Sequence, residues 1–105
     1  MKTLFDQGVP VPLRVHLQSH SVETAYERQW SNLKNGELLK TAEQNGFDLL
    51  VTTDQQLRDQ QNLTDYALAI VVVLSTSWPR IQLAIDPIRS AIDGAAPSAY
   101  IEVEV

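Results

Sequence analysis

The sequence predicts an α/β protein in which a mainly parallel sheet of about five strands lies between two layers of helices. Three observations predict this three-layer sandwich. The apolar runs Leu49–Val51 and Leu68–Leu74 have the continuous hydrophobic character of strands that are buried on both faces of a parallel sheet. Residues 35–45 and 81–92 carry apolar side chains at helical spacing. Strand and helix patterns alternate along the chain, which is typical of parallel sheets with right-handed crossovers.

The amino-terminal third is predicted to contain two short strands and one weak helix. Thr3–Phe5 forms the first strand and Val22–Ala25 the second. Between them, a glycine and two prolines mark a loop that runs into a helical patch at residues 13–18. Residues 26–34 are polar apart from Trp30, so we expect a structured loop with one large apolar anchor.

The clearest helix is predicted over residues 35–45. Asn35 is the predicted N-cap, and Gly46 is the expected left-handed stop after the last turn. The inward face repeats at spacings of three and four residues, and it consists of Leu38, Leu39 and Ala42.

The carboxyl-terminal half is predicted to contain further helices and an edge strand. Residues 55–62 form a glutamine-rich helix or turn with Leu57 facing inward. The helical pattern over residues 81–92 contains Pro87, which either kinks one helix or begins a second. Residues 99–105 alternate strictly between apolar and polar, which indicates an edge strand half in water. Its apolar side leads us to expect a homodimer or a bound partner at this edge.

Length and composition limit the class of protein. The chain has 105 residues, which corresponds to a single domain spanning residues 1–105. It contains no cysteine, so thiolate metal sites, cysteine nucleophiles and disulfides are excluded. No targeting segment or membrane span is evident, and we expect a soluble, cytoplasmic protein. The net charge of −5 disfavours a protein that coats nucleic acid, but it is compatible with a metal-dependent nuclease.

Three carboxylates are predicted to meet at the carboxyl edge of the sheet. Asp6 follows the first strand directly, and Asp54 follows Leu49–Val51 after two threonines. Glu37 lies at the start of the helix over residues 35–45, and this end of the helix lies at the same edge. Converging carboxylates repel one another unless a cation neutralises them, and an all-oxygen site suits Mg²⁺ or Mn²⁺. Each residue also has a purely structural alternative: Asp6 a strand-end turn, Glu37 a helix-dipole partner and Asp54 a helix cap.

Several segments resemble one known family, and together they cover nearly the whole chain. They are Leu4–Pro10, Asn35–Leu39 with Ala42 and Gly46, and Leu50–Asp54, joined by His20–Val22 and Val71–Pro79. In their order and spacing, these segments resemble compact PIN-like domains of the VapC and Mut7-C type. The resemblance implies a PIN-type fold and a metal-dependent endoribonuclease, often the toxin of a pair with a small antitoxin protein. It assigns the catalytic and metal-binding roles to Asp6, Glu37 and Asp54, with Mg²⁺ or Mn²⁺ as the cofactor and RNA as the substrate.

The chain also departs from that pattern. Members of that family commonly have an Asp-Glu-Asn run where this chain has Asp6-Gln7-Gly8, and they often carry a second acid at the position of Gln56. Asp59 is the candidate replacement for the missing acid. These departures favour a second hypothesis, a catalytically weakened PIN-like protein that acts by binding another protein. A third hypothesis, phosphoryl chemistry on Asp6 as nucleophile, ranks last because no further acid follows closely.

The remaining candidates are weaker. Hydroxyl and basic side chains near the carboxylates are candidate substrate contacts, namely Thr53, Ser75, Lys34 and Arg58. His16 and His20 have the four-residue spacing of metal ligands on a helix, but no third ligand is near and the helix is predicted to end between them. Trp30 and Trp78 are candidates for stacking on RNA bases, although we favour the interpretation that they pin loops onto the core.

Overall fold

The computed structural model describes all 105 residues. It confirms the predicted fold class: five parallel strands form one sheet, and helices cover both of its faces. The strands are β1 (Lys2–Phe5), β2 (Ser21–Thr24), β3 (Leu49–Thr52), β4 (Ala69–Val73) and β5 (Tyr100–Val103). The helices are α1 (Asn35–Gln44), α2 (Leu57–Gln60), α3 (Trp78–Gln82) and α4 (Ile85–Asp93), with 3₁₀ helices at Val11–His16 and Leu63–Asp65.

The strands lie in the order β2-β1-β3-β4-β5. Every residue of β3 and β4 is buried, as their continuous apolar sequences predict. The register pairs Leu4 with Leu50 and Leu50 with Ile70. The alternating carboxyl-terminal sequence forms the edge strand β5, with Val103 buried and Glu102 exposed, so that prediction is also confirmed.

Side chains on the two faces of the sheet form two separate cores. Phe5, Val51 and Val71 point to the face that is covered by α3, α4 and the 3₁₀ helix at Val11–His16. Leu4 and Leu50 point to the opposite face, which is covered by α1 and α2. This division follows from the two-residue period of a strand, which sends successive side chains to opposite sides.

One prediction about the connections is wrong. The connections from β3 to β4 and from β4 to β5 step across the sheet in the same direction. The first is covered by α2 on one face and the second by α3 and α4 on the other. Two crossovers that step in the same direction but pass over opposite faces of a parallel sheet have opposite hands. The crossovers are therefore not all right-handed, as the general rule predicts them to be.

Helix boundaries agree with the sequence at some ends and differ at others. Helix α1 begins at Asn35, and Lys34 rather than Asn35 is its N-cap residue. Gly46 adopts a positive φ of 79°, as expected for a left-handed stop. Pro87 lies in the first turn of α4, where no hydrogen bond from its nitrogen is needed, so the second of the two alternatives for this proline is confirmed.

The amino-terminal connections are shorter and tighter than predicted. Residues 13–18 were expected to be helical, and they contribute to a 3₁₀ helix that ends at His16 because Leu17 departs from helical dihedral angles. The second strand covers residues 21–24 rather than 22–25. No helix combines the length and apolar character that a bilayer crossing requires.

Candidate functional site

Asp6 lies at the carboxyl end of β1, in the middle of the sheet edge. Its backbone N–H donates to the carbonyl oxygen of Val51 at 2.9 Å, which extends the pairing of β1 with β3 by one bond. Its Oδ1 atom accepts a hydrogen bond from the N–H of Gln7 at 2.8 Å. Its Oδ2 atom accepts one from the hydroxyl of Thr52 at 2.9 Å. The carboxylate is therefore held by its own turn on one side and by the neighbouring strand on the other.

Thr52 joins the two acids that follow the central strands. Its side chain is 1% exposed, and its Oγ1 atom donates to Asp6 and also accepts the N–H of Asp54 at 3.1 Å. A buried hydroxyl requires hydrogen-bond partners, and here the partners come from both acidic segments. Sequence reasoning missed this role, although a threonine at the end of a buried strand is the signal that points to it.

Asp54 is held by contacts on both oxygens. Oδ1 accepts the N–H of Gln56 at 2.9 Å, which closes a turn ahead of α2. The N-cap residue of α2 is Gln56, so Asp54 does not cap this helix. Oδ2 accepts a hydrogen bond from Nδ2 of Asn35 at 2.6 Å. Asn35 therefore acts as a side-chain donor from the first residue of α1 instead of capping that helix. The amide of Asn35 also donates to Oε1 of Gln60 at 3.2 Å, which connects α1 to α2.

Glu37 differs from the two aspartates. It is exposed in the first turn of α1, and its side chain makes no hydrogen bond or ion pair with the rest of the chain. No group of three or more His, Cys, Asp or Glu side chains is close enough together to hold a metal ion. The structure thus links the Asp6 carboxylate to the backbone N–H of Asp54 through Thr52, and it leaves Glu37 on the adjoining helix without a partner.

A close approach between two loops fixes the positions of these aspartates. A Cβ atom added to Gly8 would lie 2.2 Å from Oγ1 of Thr53, a distance that real side chains do not tolerate. Gly8 follows β1, and Thr53 follows β3. The absence of a side chain at residue 8 therefore lets the loop after Asp6 lie directly on the loop that carries Asp54.

The other candidate substrate contacts lie in varied surroundings. Ser75 accepts the N–H of Ser77 at 3.0 Å and so stabilises the turn before α3. The guanidinium of Arg58 lies 5.3 Å from the centre of the Tyr100 ring. Burial raises the pKa of the Tyr100 hydroxyl, and smaller contributions in the same direction come from Glu102 and Asp59. Arg58 and Asp59 therefore both lie close enough to Tyr100, at the start of β5, to affect the pKa of its hydroxyl. Lys34 is exposed beside Asn35.

The histidines and tryptophans have structural partners. His16 lies against Trp78 with ring centres 6.3 Å apart, whereas His20 is within 2.5 Å of a carboxylate oxygen of Asp93. The four-residue spacing of the histidines thus reflects two separate contacts. Trp30 packs edge-on against Phe47 at 5.9 Å, in agreement with the interpretation that it pins its loop onto the core.

The strand order reverses between β1 and β3, at this edge of the sheet. The chain steps from β1 outward to β2, and from β3 outward in the opposite direction through β4 to β5. In open α/β sheets, ligands bind outside the carboxyl ends of the strands where the order reverses in this way. Asp6 and Thr52 stand at this position on the two strands concerned. The predicted site therefore coincides with the topological switch point of the sheet.

The carboxylate oxygens of Asp6 and Asp54 are compatible with a hard divalent cation. A carboxylate offers about four acceptor positions, and Asp6 and Asp54 each use two of them within the chain. Mg²⁺ commonly takes only one or two carboxylates and completes its shell with water and substrate phosphate. Both aspartates are partly exposed to solvent.

Asp6 also lines a cleft on the β2 side of the sheet edge. The cleft has a volume of about 440 Å³ and lies between the loop after β1, the 3₁₀ helix and the loop after β2. Asp54 does not line it. One carboxylate of the pair is therefore accessible from a concave surface beside the switch point.

No protein-family model, curated protein sequence or solved structure matches this chain.

Proposed function

We propose that this protein is a metal-dependent endoribonuclease of the PIN-like type, acting in the cytoplasm as the toxin of a toxin–antitoxin pair. The observation that carries the proposal is the Thr52 hydroxyl, which joins Asp6 and Asp54 at the switch point of the sheet. The resemblance of the strand ends and of α1 to PIN-like proteins supports the choice of RNA as substrate. It also supports a small antitoxin as partner.

Asp6 and Asp54 would hold Mg²⁺ or Mn²⁺, with Glu37 as a further ligand. When bound, such an ion activates water for attack on a phosphodiester and stabilises the charge on the phosphate oxygens. A cation is also needed on general electrostatic grounds, because a chain of net charge −5 otherwise repels RNA.

The chain itself supplies orientation. The Thr52 hydroxyl fixes one oxygen of Asp6, and the Asn35 amide fixes one oxygen of Asp54. These contacts hold the carboxylates in one arrangement before substrate binds, so the side chains lose little conformational entropy on binding. Glu37 has no such contact in the chain, which leaves its side chain free to turn toward the same edge.

An RNA-cleavage assay with Mn²⁺ and matched aspartate variants tests the proposal. We expect Asp6→Asn and Asp54→Asn to lower the cleavage rate by about a hundredfold or more, because each removes a metal-binding charge. Asp48→Asn is the control, since Asp48 lies at the opposite end of β3 and accepts one hydrogen bond that asparagine can also accept. Chelation should abolish cleavage by the parent, and equal cleavage by all variants would contradict the proposal.

A second function is favoured by a specific observation. All four oxygens of Asp6 and Asp54 already receive a hydrogen bond from the chain, as turn and capping residues do. Gln7 and Gln56 also stand where members of the PIN-like family commonly carry acids, and Gly8 stands where they carry asparagine. These features favour a catalytically weakened PIN-like protein that acts by binding another protein, an antitoxin or a second copy. An absence of both cleavage and Mn²⁺ binding in the parent would support this alternative.

A further inference from the structure

The cleft beside Asp6 has features of a binding site for a planar heterocycle. Its volume of about 440 Å³ lies within the range of small-molecule pockets. Apolar side chains form part of its wall, and Val9 and Ala25 among them are only 4% and 1% exposed. The aliphatic wall belongs to the packed core, so this side of the cleft is formed before any ligand enters.

Tyr26 provides an aromatic surface at the rim of this cleft. Its side chain is 79% exposed, and its hydroxyl makes no hydrogen bond within the chain. Large aromatic side chains usually bury most of their surface, so an exposed ring beside a cavity is available to a ligand. Bases of single-stranded RNA stack on such rings. Tyr26 and Glu27 also border a second depression, which gives a longer strand a path beyond the first base.

The polar groups of the cleft are held in fixed positions. Oε1 of Glu27 accepts the N–H of Thr24 at 3.0 Å, and the N–H of Glu27 donates to the hydroxyl of Thr24 at 3.0 Å, as in a capping box. The same oxygen accepts a hydrogen bond from Nη1 of Arg14 at 2.7 Å. This guanidinium holds the pKa of the Glu27 carboxyl below its usual range, and the Thr24 N–H adds to the effect.

Both charged groups keep unused hydrogen-bonding capacity. Oε2 of Glu27 has no donor in the chain, and Nε and Nη2 of Arg14 have no acceptor. A fixed carboxylate accepts only from N–H or O–H groups, and a guanidinium donates only to acceptors. The cleft therefore presents an acceptor and a donor that are joined rigidly to each other, beside an aromatic ring.

The charge balance selects a base instead of a phosphate. The lining contains two carboxylates, Asp6 and Glu27, and one guanidinium, Arg14. This surplus of negative charge disfavours a phosphate inside the cleft but accommodates a neutral base, so the phosphate of a bound nucleotide would lie outside the cleft in solvent. Among the four RNA bases, guanine alone has two adjacent N–H donors on its Watson–Crick edge, and its O6 and N7 atoms accept from arginine. Adenine, cytosine and uracil each present an acceptor where guanine presents a donor.

We propose that this cleft binds a guanine base of single-stranded RNA, with the base on Tyr26, its N–H edge on the Glu27 carboxylate and its acceptor edge on Arg14. The proposal rests on the proposed ribonuclease function and deepens it, because a base held beside Asp6 would place its neighbouring phosphodiester next to the aspartates. The protein would accordingly cut RNA next to guanosine.

Binding of mononucleotides without metal tests this proposal separately from catalysis. Guanosine 5′-monophosphate is titrated into the full-length protein in the presence of a chelator, and the chemical shifts of the Ala25 and Tyr26 amides are followed by NMR. We expect saturable binding at least about tenfold tighter than that of adenosine, cytidine or uridine monophosphate, the discrimination expected of one good base-edge contact. No saturable binding, or equal affinity for the four nucleotides, would overturn the proposal.

Two variants test the individual contacts. Tyr26→Ala should weaken guanosine monophosphate binding by about tenfold through loss of stacking, with the fold unchanged because the ring is exposed. Leu83→Ala is its control, since Leu83 is 90% exposed and does not line the cleft. Glu27→Gln should remove the preference for guanine over adenine, and Glu104→Gln should preserve it. Unchanged affinity in Tyr26→Ala or unchanged preference in Glu27→Gln would contradict the assignment.

The two proposals can fail independently. Guanosine monophosphate binding in a protein that neither binds Mn²⁺ nor cuts RNA would sustain the base site and refute the ribonuclease function. RNA cleavage without any preference for guanosine would refute the base site and leave the ribonuclease function standing.

Discussion

The two ends of β3 use carboxylates in different ways. At the amino end, Asp48 accepts the backbone N–H of Lys2 at 2.9 Å, and Glu43 accepts two backbone N–H groups of the segment that leads into β4. Each of these acids bonds to the backbone of a distant segment. At the carboxyl end, the carboxylates of Asp6 and Asp54 each accept an N–H of their own turn, and the hydroxyl of Thr52 links the Asp6 carboxylate to the backbone N–H of Asp54.

This difference separates structural acids from candidate functional acids. An acid that pairs with distant backbone N–H groups holds a loop in place, and its oxygens are directed at the protein. At the carboxyl end, the hydroxyl of Thr52 donates to the carboxylate of Asp6 and accepts the backbone N–H of Asp54, so it links the two acidic segments. The acids at the amino end therefore hold distant segments in place, whereas those at the carboxyl end are the ones that the proposed metal site uses. The following substitutions test this contrast, from the largest expected effect to the smallest.

Replacing Glu43 with alanine should have the largest effect on stability. The N–H groups of Ala67 and Leu68 lose their acceptor, and Leu68 is only 2% exposed. We expect the free energy of unfolding to fall by about 2–3 kcal/mol, because the unpaired N–H of buried Leu68 costs roughly 1–3 kcal/mol, whereas the N–H of exposed Ala67 can bind water instead. Urea denaturation measures the change, and Glu43→Gln, which keeps a carbonyl acceptor, should lose less. Mn²⁺ binding should persist in both variants, and its loss would break the contrast between the two ends.

Adding a methyl group at Gly8 should have the next largest effect. The new Cβ atom would lie 2.2 Å from Oγ1 of Thr53, so the Thr53 side chain or the two loops must move. Overpacking of this kind costs about 1–3 kcal/mol. The Thr53→Ala substitution removes the clashing oxygen, so the double variant should recover most of the loss in a thermal denaturation cycle. Failure of this recovery would show that the clash with Thr53 is not the cause.

Removing the hydroxyl of Thr52 should have a smaller effect on stability but a clear one on the site. Thr52→Val leaves the N–H of Asp54 without its acceptor and frees one oxygen of Asp6, at a cost of about 1–2 kcal/mol. Mn²⁺ affinity should fall as well. Thr3→Val is the matched control, because Thr3 is fully buried at the amino end of β1 with one long hydrogen bond of 3.3 Å. Equal loss of Mn²⁺ affinity in both variants would contradict the role given to Thr52.

The contribution of Glu27 to the pH dependence of folding stability should be the smallest effect. Its pKa lies below the reference value of 4.5 in the folded protein, chiefly because of Arg14. Glu27 therefore contributes stability that is present above pH 4.5 and is lost as the pH falls through its folded pKa. Thermal unfolding across this acidic range should show a shallower loss in Glu27→Gln than in the parent. A parallel pair of curves would show that the ion pair with Arg14 contributes nothing to folding.

The sequence predicts the sheet well because its strands differ in burial. Continuous apolar runs mark β3 and β4, and strict alternation marks β5 as an edge. These local patterns do not encode which strands are neighbours, so neither the strand order nor the mixed handedness of the crossovers followed from them. Both depend on the packing of segments that are distant along the chain.

The candidate site was predictable only in part. The position of Asp6 and Asp54 at one edge follows from the rule that parallel strands end at one edge, and both residues follow strands that end there. The contact between Asn35 and Asp54 was not predictable, because an asparagine at a helix start suggests a cap on its own backbone. The cleft at Tyr26 was also missed, since residues 26–34 carry no period that shows which side chains face a cavity.

Mn²⁺ binding followed by thermal shift tests the central claim most directly. A ligand at about a hundred times its Kd adds about 2.7 kcal/mol to the stability of a folded protein, which corresponds to roughly 10 °C for a chain of this size. We predict saturable stabilisation of the parent and of Asp48→Asn, and its loss in Asp54→Asn, with the shift of each variant measured against its own metal-free midpoint. Absence of stabilisation in the parent at millimolar Mn²⁺, or an equal shift in Asp54→Asn, would contradict the assignment of this sheet edge as a metal site.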